Sequence, residues 1–216
     1  MKSATGNFDR LARGYQTLEW LAFGGDLERA RFALLPALRS ARRLLIPGEG
    51  DGRFLEKLVD LNPSAEIDCL DASLAMIERA RSRLGERGSH VTFRHADFWQ
   101  INLPAQHYDA VVTCFFLDCF NSDEAERAVA KIAASLQPHA QWLWVDFALP
   151  ARGLDRWRAQ LWLTLLYTFF RWQTGLQTRR LPPAEAFIVA AGLEPITTQS
   201  SQGGLLRSVL FRAPAT

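Results

Sequence analysis

The chain of 216 residues is 48% hydrophobic and 22% charged, the balance of an ordinary globular domain rather than of a disordered or membrane-embedded chain. Its formal net charge of +2, with Arg39, Arg42, Arg43 and Arg179, Arg180 as the tight basic clusters, is too weak to point to nucleic acid. Three cysteines, Cys69, Cys114 and Cys119, are odd in number and lack metal-ligand spacing, so they suggest neither a disulfide framework nor a metal site and fit a reducing cytoplasm.

Met1 to Asn7 lack the apolar stretch of a signal peptide, and no uncharged run reaches the ~20 residues that span a bilayer, so a soluble, cytoplasmic protein is expected. Leu11, Tyr15, Leu18 and Ala22 share one helical face; Gly24-Gly25 ends that helix and Asp26 is expected to cap the next. A short apolar run, Leu44 to Ile46, then stops at Gly48, Gly50 and Gly52 and resumes with helical spacing at Phe54, Leu55, Leu58 and Val59. This reads as strand, Gly-rich turn and helix. Glycine lets a ligand touch the main chain there, and the following helix offers unpaired N–H groups.

Ala65 to Leu70 is a second strand ending in Asp71, where doubly wound nucleotide folds place the acid that receives ribose hydroxyls. The dinucleotide form of the turn needs glycine at position 53, and Arg53 disfavours pyrophosphate. Ser73 caps a helix running through Leu84, with Leu74, Ile77 and Leu84 expected inward; Gly85 and Gly88 break it. Val91 to His95 is a third strand, leading into Ala96-Asp97-Phe98. Tyr108-Asp109 opens a fourth strand, Ala110 to Phe115, whose unbroken apolar character predicts burial on both faces. Asn121 or Ser122 caps the next helix, which Leu136-Gln137-Pro138 is expected to finish before a fifth strand, Gln141 to Phe147.

Between Arg152 and Arg180, Trp157, Leu161, Leu165 and Phe169 form one helical row and Trp162, Leu166 and Phe170 another, too apolar for a plain surface helix. Cover of a ligand pocket, a core or dimer-interface helix, and a helix on a membrane surface are the three readings of it. Pro182-Pro183 starts a last helix, Gly192 follows it, and Leu193 to Thr198 with Leu205 to Phe211 reads as a hairpin. Strand and helix alternate throughout, which predicts an α/β fold with a mostly parallel sheet covered on both faces.

Four stretches in order, Gly48-x-Gly50-x-Gly52, Leu70-Asp71-Ala72-Ser73, His95-Ala96-Asp97 and Tyr108-Asp109-Ala110-Val111-Val112, resemble the motifs of class I S-adenosylmethionine-dependent methyltransferases. Phe8 to Tyr15 is similar to the entry segment of the ubiquinone/menaquinone type. The resemblance implies a Rossmann-like sheet of seven strands with an antiparallel last strand, in one domain. Its parts would be an N-terminal helical cap over 1–40, a cofactor core over 41–150, an acceptor cover over 151–181 and a last helix and hairpin over 182–216. It implies S-adenosyl-L-methionine as cofactor and S-adenosyl-L-homocysteine as product. Gly48, Gly50 and Gly52 would line methionine and ribose, Asp71 would hold the ribose hydroxyls, and Asp97 with the Phe98 amide would read adenine. Ala72, Met76, Cys114 and Tyr15 would complete that set. Two positions depart from the family: Ile46 stands where an acid anchors the cofactor's amino group, so Glu49 or Asp51 would substitute, and Pro138-His139-Ala140 stands for the usual Pro-Gly-Gly.

The acceptor side would be built from Phe116, Asp118, Asp146, Trp162 and Tyr167. Methyl transfer from a sulfonium needs alignment first, and a base only where the acceptor must lose a proton. Asp118, among aromatics after the fourth strand, is the candidate base, since desolvation raises a carboxyl's pKa; capping a turn near Asn121 is its other reading. A small lipophilic or aromatic acceptor is the leading expectation, with no nucleic-acid partner and a homodimer or membrane-surface contact left to the 157–172 helix. RNA or protein methylation, a non-catalytic scaffold or ligand sensor, and a nicotinamide oxidoreductase are the competing functions, the last disfavoured by Arg53.

Overall fold

In the computed structural model, which describes residues 25–149 and 181–215, alternation of strand and helix produces one seven-stranded sheet. The strands are β1 (Arg43–Pro47), β2 (Glu66–Asp71), β3 (Val91–His95), β4 (Tyr108–Cys114), β5 (Leu136–Phe147), β6 (Glu194–Ser201) and β7 (Leu206–Arg212). The described helices are α1 (Asp26–Phe32), α2 (Arg53–Leu61), α3 (Leu74–Leu84), α4 (Ser122–Ala133) and α5 (Ala184–Ala190). The order across the sheet is β3-β2-β1-β4-β5-β7-β6. β1 to β5 run parallel, and β7 is antiparallel to both neighbours.

Period-two alternation divides the core. Leu44 and Ile46, Ile67 and Cys69, Ala110 and Val112, and Leu143 and Val145 face α1, α2 and the end of α3. Leu45, Leu70, Val111, Trp142, Trp144, Val209 and Phe211 face α4 and α5. The central strands therefore bury apolar side chains on both faces, which fits parallel strands covered on both sides. Trp142 is fully buried, and its Nε1–H donates to the buried Thr113 Oγ1 at 2.9 Å, so the indole's polar atom is satisfied inside the core. β6 closes the sheet as a polar, exposed edge carrying Glu194 and Pro195, residues that discourage pairing with another chain.

Local expectations hold where capping chemistry is explicit. Asn121 Oδ1 accepts from the Glu124 amide at 3.0 Å while the Glu124 carboxylate accepts from the Asn121 amide at 3.1 Å, a reciprocal cap at the start of α4. Ser73 Oγ accepts from the Met76 amide at 3.3 Å and starts α3. Pro183 precedes α5 and Gly192, at φ +90°, follows it.

Four expectations need correction. Asp26 is the first residue of α1 and Gly25 precedes it as the cap, with no side-chain bond. Leu74, the first residue of α3, is 48% exposed; Ile77, Ala80 and Leu84 make the buried face. The fourth strand begins at Tyr108 and ends at Cys114, since Phe115 turns to φ +52°. Leu136-Gln137-Pro138 opens β5 rather than closing α4, whose last helical residue is Ala133. Pairing of Tyr108 with Leu136 brings it into the sheet, and a register shift follows before Ala110 pairs with Gln141. His139 sits there at φ +61°, the conformation that the family's glycine would adopt without strain. Among the described residues no helix is long and apolar enough to cross a membrane. The helix predicted over Leu11 to Ala22 and the apolar helix over 157–172 lie outside the described residues.

Candidate functional site

The carboxyl ends of β1 to β5 gather at one edge of the sheet, where ligands of open α/β folds bind. At the end of β1 the chain makes a turn in which Gly48, Gly50 and Gly52 all have positive φ, at +69°, +75° and +85°. The three differ in what surrounds them. A Cβ on Gly48 would lie 2.5 Å from the Phe116 ring, and one on Gly52 would lie 2.7 Å from the Ala80 Cα, so these two glycines allow the turn to pack on β4's following loop and on α3. A Cβ on Gly50 would meet nothing within 4 Å among the described residues, so its face is open there.

Two acids hold this turn in shape. Asp71, at the end of β2, accepts from the Gly50 amide at 3.0 Å through one oxygen and from the Ser73 amide at 2.8 Å through the other. Burial raises its pKa, and the Ser73 and Gly50 amides oppose the rise. Glu49 turns back onto α2: its Oε1 accepts from the Leu55 amide at 3.0 Å, satisfying a free N–H that the side-chain-less Gly52 at the helix start cannot reach. Burial pushes the Glu49 carboxyl up to about 7, against the pull of the Leu55 amide and of Arg31 on α1. Asp51 is engaged otherwise, with Arg53 Nε at 3.1 Å and an Arg83 nitrogen at 3.5 Å.

Along β2 and β3 the edge continues. Ala72 O lies 3.1 Å from His95 Nε2, which ties the two strand ends together. Ala72 and Met76, at the start of α3, are half-buried. Asp97 Oδ1 accepts from the Trp99 amide at 3.0 Å, and Gln100 donates to the Asp97 carbonyl at 2.9 Å, so the loop after β3 is a closed turn around Asp97.

The far wall is aromatic. Phe98 meets Phe116 edge to face at 5.3 Å between centroids and Trp99 at 5.4 Å, while Phe120 packs on Phe116 at 5.1 Å and on Trp99 at 5.3 Å. Two cations on one face of α4 brace it: Lys131 donates to the Phe98 carbonyl at 2.5 Å and lies over the Phe98 ring, and Arg127 lies over Trp99. Sequence reasoning missed Trp99, Phe120, Arg127 and Lys131 as parts of one wall. The i, i+4 spacing of the two cations was the available signal, but nothing local tells which aromatics that face would meet.

Beyond the wall, the Leu117–Cys119 turn brings Asp118 to Asp146 at the end of β5. The Asp118 amide donates to Asp146 Oδ2 at 3.2 Å, and the Phe147 amide donates to Asp146 Oδ1 at 2.9 Å. Asp146 is 1% exposed; desolvation and the neighbouring Asp118 charge raise its pKa well above the carboxylate range. Burial pushes Asp118 up to about 6. Cys119 Sγ lies 3.6 Å from Asp118 Oδ1, and Cys114 ends β4 nearby in sequence, its thiol raised by burial. The edge therefore offers an open main-chain turn with acids at successive strand ends, then an aromatic wall, then a carboxyl pair. Of the predicted site residues, Tyr15, Trp162 and Tyr167 lie outside the described residues.

A methyltransferase-domain family model matches residues 44–139, the stretch from β1 into β5 that builds this edge. The chain is 30% identical over 148 residues to the demethylmenaquinone methyltransferase of Thermus thermophilus, a match covering 68% of this chain and 66% of that protein. It is 32% identical over 156 residues to the ubiquinone/menaquinone biosynthesis C-methyltransferase UbiE of Methylobacterium nodulans, covering 69% of this chain and 61% of that one. The matched stretch thus spans about two thirds or less of these relatives' own length. Among solved structures, the N-methyltransferase NodS of Bradyrhizobium japonicum in complex with S-adenosyl-L-homocysteine shares the fold at a TM-score of 0.69 and 18% identity, with 99% of this chain and 100% of that chain covered. The matched stretch contains the glycine turn after β1 and the acids Asp71 and Asp97; the chain belongs to the class I S-adenosylmethionine-dependent methyltransferase family.

Proposed function

We propose that this chain transfers the methyl group of S-adenosylmethionine to a small acceptor with a lipophilic or aromatic body. The observation that carries the reading is the open Gly50 face on the same sheet edge as Asp71 and Asp97, next to the aromatic wall and the Asp118–Asp146 pair. When bound, the donor supplies a methyl group on a sulfonium whose charge disappears as the acceptor attacks. The turn around Gly50 would take the donor's backbone-facing side, and Asp71, each of whose oxygens keeps further lone pairs, would receive the ribose hydroxyls. Asp97 and the Phe98 main chain would meet the adenine beside the aromatic wall.

The chain's own contribution is alignment, water exclusion by the aromatic wall, and proton removal. Asp118, whose carboxyl titrates at about 6, takes a proton from an acceptor O–H, N–H or activated C–H; Asp146, whose pKa is raised by burial and by the Asp118 charge, accepts a hydrogen bond from the Asp118 amide and holds the turn. The names of the Thermus and Methylobacterium relatives favour a quinone-related acceptor, whose flat lipophilic ring suits the aromatic wall. A cytoplasmic setting and a pocket cover supplied by 157–172 belong to the same reading.

The test is calorimetric titration with S-adenosylmethionine, S-adenosylhomocysteine and NADH. Micromolar binding of the first two and none of the third is expected; a folded protein that binds neither would be a methyltransferase-fold scaffold instead. With an acceptor in hand, Asp118→Asn should lower kcat about 10²- to 10⁴-fold and abolish the rise in rate through pH 6, whereas an unchanged profile would remove Asp118 as the base.

A further inference from the structure

The chain leaves β4 through a residue in an unfavourable conformation. Phe115 has φ +52°, in the left-handed region where a bulky side chain crowds its own main chain. Among the described residues the other non-glycine positive φ values belong to Gln106, His139 and Gln202, all polar; Phe115 alone is a large apolar residue. Its neighbours hold it there. The Phe115 amide donates to the Val145 carbonyl at 2.8 Å, which ties it to β5. The ring packs on Phe147 of β5 at 5.2 Å between centroids, and the Arg31 guanidinium of α1 lies over it at 5.2 Å. Strain of this kind persists where packing over-determines it, and it gathers at functional sites.

What the turn achieves is visible in the three residues that follow. Phe116 lies against Gly48, where a Cβ would come within 2.5 Å of its ring, and joins the aromatic wall through Phe98. Leu117 is fully buried, and the Asp118 amide reaches Asp146 Oδ2 at 3.2 Å. An extended residue at 115 would carry the chain straight on past the sheet edge, away from both the glycine turn and Asp146. Resting on the reading of Asp118 as the base, we propose that Phe115 is a positioning residue: its left-handed backbone, clamped by α1 and β5, seats Phe116 on the glycine turn and Asp118 on Asp146 together.

The experiment separates the conformation from the ring. Asparagine adopts positive φ at small cost but has no aromatic ring, whereas valine is apolar and β-branched and resists positive φ. Two readouts are taken on the full chain: hydrogen exchange of the Asp118 amide, and NMR titration of the Asp118 carboxyl, which titrates at about 6 beside Asp146 and Cys119. Phe115→Asn should leave amide exchange within about threefold of wild type. Phe115→Val should speed it about tenfold or more and move the titration down toward the ordinary carboxylate range. Calorimetry with S-adenosylhomocysteine should follow the same order, with binding about tenfold weaker in Phe115→Val and changed about twofold or less in Phe115→Asn. Should Phe115→Val not fold, Phe115→Ala takes its place, since alanine and asparagine both lack the ring and differ in their tolerance of positive φ. The reverse order, a mild valine and a damaging asparagine, would reduce Phe115 to a core hydrophobe and overturn the inference, as would equal effects of the two. Wild type that binds no S-adenosylhomocysteine would sink the methyl-donor reading alone, because the amide and carboxyl readouts need no ligand and still decide the role of Phe115.

Discussion

At the scale of single residues, the three glycines of the turn show how one motif serves two ends. Gly52 is needed because its neighbour is main chain: a methyl group there would press on the Ala80 Cα at 2.7 Å, and φ is already +85°. Gly50 has the same kind of φ and no such neighbour among the described residues. Gly52→Ala should therefore cost about 2–3 kcal/mol of stability by forcing α2 from α3. Gly50→Ala should cost about 1 kcal/mol, from the positive φ alone, yet lower donor affinity more. Chemical denaturation and donor titration of the two variants separate these outcomes. The spacing of the glycines was legible in the sequence. Which of them has open space beside it and which faces protein was not, because Ala80 and Phe116 reach the turn only through tertiary packing.

Whole elements follow local chemistry to the extent that their ends are capped by side chains. The Asn121 and Glu124 reciprocal cap starts α4 at a defined residue, and α4 carries both the buried stripe Ala125, Ala128, Val129, Ile132 and the cations Arg127 and Lys131 that brace the aromatic wall. Asn121→Ala should destabilise the protein by about 1 kcal/mol, read from the shift in denaturation midpoint at unchanged slope. The far end of α4 has no comparable signal. Leu136 to Pro138 has the look of a helix terminus, with a proline after apolar residues, but pairing with Tyr108 recruits it into β5. The local preference for ending a helix there competes with a strand pairing made across 28 positions of chain, and the pairing decides.

Across the whole molecule, Trp142 shows what holds the two layers to the sheet. It is fully buried on the α4 and α5 face of β5, between β4 and β7, with its indole nitrogen bonded to Thr113. Trp142→Ala should cost about 3–5 kcal/mol, since it leaves a large cavity and strands the Thr113 hydroxyl's partner site; thermal unfolding measures it. Amino-acid order alone determined the alternation of strand and helix, the parallel core, the glycine turn and the acids Asp71 and Asp97. All of these rest on local periodicity, φ requirements and position after a strand, which short stretches of chain encode. Tertiary structure alone decided the joining of Asp118 to Asp146, the wall of Phe98, Trp99, Phe116 and Phe120, and the placement of Glu49 on α2 beside an open glycine face. Those depend on side chains that meet only when strands distant in sequence lie side by side, and no local spacing carries that information.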